Sequence, residues 1–113
     1  MILMETPAER GESNVVVPLT GRLDVATSSE LATRLAAIID RGARILVLDL
    51  TTLDYISSAG LGVLISVGKK IRAVGGDMLF AGVTPHVKQI LAISGFTQLF
   101  KIVATPDEAF RVG

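Results

Sequence analysis

The feature that most constrains this chain is an apolar run that does not alternate, Ile45-Leu46-Val47-Leu48. A strand with one face in water alternates apolar and polar side chains. Consecutive apolar residues instead point to a strand covered on both faces, as central parallel strands are. We therefore expect a strand over 44–50, and parallel neighbours reached through crossover helices. A short turn is expected next, and then Ser57 and Ser58 stand where a second helix should open and run to about Val74. Hydroxyls at a helix start can cap free backbone N–H groups. The same junction favours a phosphate, because the donors and the helix dipole both attract negative charge. Either serine can thus be read as a cap, as a phosphate acceptor, or as each in turn.

The rest of the chain supplies the neighbours that such a strand requires. Residues 2–6 read as an edge strand, 9–14 as turn chemistry, and Val15–Leu19 as a second strand completing an opening hairpin. Pro18 lacks an N–H, so the end of that strand should be free of ladder pairing. Residues 20–24 read as a loop. Thr27 has the spacing of a helix cap with Glu30 reaching back, and Leu31, Leu35, Ile38 and Ile39 recur on one helical face up to Gly42. In the second helix Gly60, Gly62 and Gly68 each weaken the helix by roughly 1 kcal/mol relative to alanine. Such a cost is tolerated where another backbone or a partner comes close. A strand over 78–81 follows, then Thr84-Pro85 opening a helix to Ile93, Gly95 ending it, a strand over 99–103, and a short helix after Thr105-Pro106. The expected order is β-β-α-β-α-β-α-β-α. This is an α/β fold, one domain over residues 1–113, with four helices against a mixed, mostly parallel sheet.

Composition narrows the function classes. Half of the 113 residues are hydrophobic and mean hydropathy is +0.56, so either the core is unusually apolar or part of the surface meets a partner. Membrane insertion is not expected: the longest uncharged run, Tyr55 to Gly68, falls short of the ~20 residues of a spanning helix. Eleven basic residues balance eleven acidic ones, with no basic stripe, so no direct nucleic-acid partner is expected. The N-terminus lacks the pattern of a signal peptide, which leaves the cytoplasm as the expected compartment. There is no cysteine, and no cluster has metal-ligand spacing, so neither a metal nor a cofactor is expected. His86 is the only histidine and reads as a surface or capping residue. Ser58 fails the nucleophile-elbow pattern because Ile56 occupies the first glycine position. Gly60-Leu61-Gly62 fails the dinucleotide fingerprint because Ile65 occupies its last. The chain is not expected to be an enzyme.

Taken together, Gly21-Arg22-Leu23-Asp24-Val25-Ala26-Thr27-Ser28-Ser29-Glu30-Leu31, the strand ending at Asp49-Leu50, and Tyr55-Ile56-Ser57-Ser58-Ala59-Gly60-Leu61-Gly62-Val63-Leu64 resemble a STAS domain. The resemblance is closest to the small bacterial anti-sigma factor antagonists and runs nearly the whole length of the chain. It implies partner switching. The unphosphorylated antagonist binds an anti-sigma factor that is itself a serine kinase. That kinase phosphorylates a serine at the start of the second helix and so breaks the complex, and a serine phosphatase resets it. On the family pattern D-S-[ST]-G, aligned at Gly60, this chain carries Ser57 for the aspartate, Ser58 for the first hydroxyl and Ala59 for the second. Ser58 is thus the implied phosphorylation site, with Ser57 the second candidate. The implied partner-binding surface comprises Ser57, Ser58, Gly60, Leu61 and Gly62, with Asp24 on the neighbouring loop. Asp24 is equally open to a reading as a cap or brace of that loop. Lys69 and Lys70 are expected to be solvated helix charges. The alternative is a STAS scaffold that is never phosphorylated, or the soluble subunit of a transport or sensory assembly. Ala59 favours this alternative, and retention of Ser58 favours the switch.

Overall fold

The computed structural model describes residues 3–4, 8–9 and 13–111, with the side chains of 13–109. Its organising element is the strand built on the apolar run, which spans Ile45–Ile56 and is numbered β4. Three strands precede it: β1 (Leu3–Met4), β2 (Ala8–Glu9) and β3 (Asn14–Leu23). Helix α1 (Val25–Asp40) connects β3 to β4, and α2 (Ser58–Ala73) connects β4 to β5 (Asp77–Ala81). Helices α3 (Pro85–Ile93) and α4 (Phe96–Leu99) lead to β6 (Lys101–Val103), and α5 (Pro106–Arg111) closes the order. The sheet order is β1-β3-β4-β5-β6, with β2 also paired to β3. β3 through β6 are parallel, and β1 and β2 run antiparallel to β3. The edge position expected for the first strand holds. Residues 2, 5 and 6 of that expected strand lie outside the described residues.

The expectation that Ile45–Leu48 is covered on both faces is met. Leu46, Leu48 and Leu50 face a large core with α1 to α4, where Leu31, Leu35, Leu64, Ile71 and Leu91 meet them. Val47 faces the other way, into a smaller cluster closed by Ala109 of α5. Burial of a Leu or Val side chain contributes about 1.5–3 kcal/mol, so this central strand anchors both layers.

Several local expectations need correction, most of them with an identifiable physical cause. β4 does not end at Leu50. It continues through the residues read as a turn, because register slips twice against β3: Pro18 pairs with Asp49 but Thr20 with Thr52, and Gly21 pairs with Leu53 but Arg22 with Tyr55. At each slip β4 carries an extra residue, which breaks the alternation by which a strand is recognised. The Asp49 carboxylate accepts the Thr51 N–H at 3.1 Å and helps satisfy the first irregularity. Pro18 lies beside that slip in mid-strand rather than near a free end, and residues 20–23 are strand, not loop. Glu9 and Asn14 belong to strands rather than to a turn. Thr27 does not cap the first helix, as detailed below. Finally, there are five helices rather than four, and Leu99 lies in α4 instead of the last strand. Gly95, at φ +81°, turns the chain into that extra helical turn. The turn seats Phe96 6.1 Å from Phe80 and 5.8 Å from Phe100, ring centre to ring centre.

Candidate partner-binding site

The ends of β3 and β4 are in register, with Leu23 opposite Ile56. Each strand gives way at the next residue to a helix cap, Asp24 for α1 and Ser57 for α2. The Ser57 N–H donates to the Leu23 carbonyl at 2.8 Å, which ties the two junctions together. At the far ends of the same helices Lys70 pairs with Asp40 at 3.2 Å. Two helix N-termini therefore open side by side on one edge of the molecule. Asp24 and Ser57–Gly62, distant in sequence, meet there.

Asp24 serves α1. Its carboxylate accepts the Thr27 N–H at 3.1 Å, and the Asp24 N–H donates to the Thr27 hydroxyl at 3.1 Å. This reciprocal box replaces the expected one: Thr27 answers the cap instead of being it, and Glu30 lies on the surface 3.8 Å from Arg34. Desolvation pushes the Asp24 carboxyl up, but hydrogen bonds from the Thr27 side chain and from the Thr27 and Ala26 backbone outweigh it and hold it below 3.8. The cap is therefore charged at neutral pH.

The two serines have different surroundings. Ser57 is the cap of α2: its hydroxyl accepts the Gly60 N–H at 3.1 Å, and its carbonyl accepts the Leu61 N–H at 2.9 Å. Ser58 is the first residue of the helix, is exposed, and its hydroxyl makes no hydrogen bond with the described residues. Ala59 is half-buried.

The glycines of α2 also divide. Gly60 is buried, and a Cβ there would lie 2.6 Å from Leu23 Cγ and 3.0 Å from the Leu23 carbonyl oxygen. Gly68 faces the Phe100 ring. These two glycines let the helix close on its own sheet and core. Gly62 is exposed, with open space where its Cβ would stand. Half-buried Leu61 lies beside it. Of the three helix glycines, Gly62 is the one open to an outside partner.

One residue of this edge was missed by sequence reasoning. Val25, first in α1, is 74% exposed. Placing the cap at Thr27 left Val25 outside the helix, where a lone valine carries no message. With Asp24 as the cap it becomes an exposed, β-branched residue at a helix start, with exposed Ala26 after it. The remaining sequence candidates lie elsewhere. His86 is exposed in the first turn of α3, and Lys69 and Lys70 are exposed on α2. Among the described residues no group of acids and histidines could hold a metal ion.

Comparison with known proteins agrees with this architecture. The sequence model of the STAS domain matches residues 5–109, and the chain belongs to that family. BtrV of Bordetella bronchiseptica, a candidate anti-sigma factor antagonist, is 37% identical over 106 residues, 94% of this chain and 91% of that protein. The anti-sigma F factor antagonist of Paenibacillus polymyxa is 34% identical over 105 residues, 92% of this chain and 87% of that one. Among solved structures, the anti-sigma factor antagonist SpoIIAA in its unphosphorylated form superposes with a TM-score of 0.85 at 22% identity, covering 97% of this chain and 96% of that one. The last comparison shows a shared fold.

Proposed function

We propose that this chain is an anti-sigma factor antagonist whose complex with a serine-kinase anti-sigma factor is broken by phosphorylation of Ser58 and restored by a serine phosphatase. The single observation that carries this reading is the division of labour at the α2 start. Ser57 spends its hydroxyl on the Gly60 N–H, whereas Ser58 is exposed with its hydroxyl unengaged among the described residues. A kinase can reach Ser58 without unmaking the cap. The names of the two relatives described above support the antagonist part of this role.

The chemistry asks little of this chain. Ser58 Oγ bonds to the γ-phosphorus of ATP as the bond to ADP breaks, the hydroxyl proton passes to a base of the kinase, and the kinase supplies the other catalytic groups. The chain acts as substrate and binding module rather than as enzyme. The added group carries about −1.5 to −2 charges at neutral pH. At a helix N-terminus the dipole and free N–H groups favour such a charge, so the fold accommodates it. The partner fares differently: an interface that covered a hydroxyl would have to desolvate a dianion, at several kcal/mol unless a cation waits for it. The complex dissociates while the antagonist stays folded.

The surface we assign to the partner centres on Ser57, Ser58, Leu61 and Gly62, with Gly60 supporting it from beneath and Asp24 at its margin. Asp24 serves α1 first, and any contact it makes with the kinase is additional. The setting is the cytoplasm, where the kinase finds ATP. Among the described residues no helix is long and apolar enough to cross a membrane. Control of transcription runs through the protein partner, not through nucleic acid.

Ala59 favours the second reading, a STAS scaffold that is not phosphorylated, because the hydroxyl nearest Gly60 in the family pattern is missing. Incubation with the serine-kinase anti-sigma factor of the same genome and ATP, followed by peptide mapping by mass spectrometry, separates the two. One phosphate on Ser58, absent from Ser58→Ala, is expected. Label on Ser57 alone contradicts the site, and no label with intact binding supports the scaffold.

A further inference from the structure

We infer that Val25 is an apolar anchor of the same docking surface, received in an apolar pocket of the anti-sigma factor next to the site that reads Ser58. This inference rests on the function proposed above and adds a residue from the other helix. Val25 and Ser58 are the first residues of α1 and α2. The strands feeding these helices pair at Leu23 and Ile56, and the Ser57 N–H is bonded to the Leu23 carbonyl. Packed helices lie about 8–10 Å apart axis to axis, so one partner element spans both positions.

A lone exposed valine is ordinary on a protein surface. Val25 is not alone. Exposed Ala26, half-buried Leu61 and exposed Gly62 share the edge, and neither helix has an acidic residue in its first turn. Nor does the fold need a valine at this position. It is 74% exposed, its β-branch gives no helical advantage, and Asp24 and Thr27 already complete the cap. An acidic residue there would suit the helix dipole better. An apolar patch carrying one hydroxyl also makes the switch abrupt, since a partner pocket that fits apolar side chains offers a phosphate no counter-charge.

The test exploits that dipole preference. Val25→Asp places a charge at the start of α1 that the helix dipole favours and the neighbouring Asp24 carboxylate opposes, so the fold should keep its thermal midpoint within a few degrees. The charge should weaken the complex with the purified anti-sigma kinase by about 100-fold, as for an unpaired charge buried at an interface. Val25→Ala should weaken it by about tenfold, and Val25→Ile should restore wild-type affinity. Val74→Ala, at the opposite end of α2 where that valine is 46% exposed, should leave affinity unchanged. Wild-type affinity in a folded Val25→Asp variant overturns the inference while leaving the Ser58 reading intact. Failure of the wild-type chain to bind the kinase overturns both.

Discussion

Two neighbouring serines do separate work at the start of α2, and substitution distinguishes them. Ser57→Ala removes the acceptor of the Gly60 N–H and should cost about 1 kcal/mol of stability, the usual value of a lost cap. Ser58→Ala removes a hydroxyl that is unengaged among the described residues, so urea unfolding should change by less than about 0.5 kcal/mol while the phosphate is lost. A reversed pattern, stable Ser57→Ala and damaged Ser58→Ala, would show that the cap has been misassigned. Asp24 carries a pH signature. Its carboxyl lies below its ordinary 3.8 in the folded chain, so the unfolded chain binds the proton more readily. The stability it supplies is therefore complete above that value and is lost as pH falls through the folded value. Asp24→Asn should differ from wild type in thermal midpoint at pH 7, and the difference should shrink below pH 3.8.

On the scale of elements, α2 is a helix whose glycines answer to different neighbours. Gly60→Ala drives a methyl group against Leu23 and should destabilise the chain by about 1–3 kcal/mol, measured by denaturant unfolding. Gly62→Ala meets open space and should stabilise it by about 0.5–1 kcal/mol. If Gly62 is kept for a partner's close approach, the same stable variant should bind the anti-sigma factor more weakly. The elements also show what the sequence could disclose. The helix faces of Leu31, Leu35 and Ile38, the double-sided strand at Ile45–Leu48, and the Thr84-Pro85 start were legible because each follows a short-range rule. The far half of β4 was not. Its two slips against β3 break alternation, and they depend on pairing between residues more than thirty positions apart. The Asp24 cap stood only as one of two open readings, since a loop over 20–24 leaves no strand for it to end. Ser57 and Ser58 were legible as a pair, but which one caps follows from where the strand ends. Val25 became visible only once the cap had moved.

On the scale of the molecule, paired strand ends bring two caps, one free hydroxyl and an apolar margin to a single edge. The sheet and its core hold that edge from below, so charge can change on it without disturbing what lies beneath. Phosphorylated chain should therefore unfold at the same temperature as unmodified chain, or slightly higher, in a calorimeter. The most direct test of the account is calorimetric titration of the anti-sigma kinase with unmodified chain and with chain stoichiometrically phosphorylated on Ser58. The account predicts that the modified chain, though fully folded, binds at least about 100-fold more weakly. Equal affinity for the two forms would contradict it.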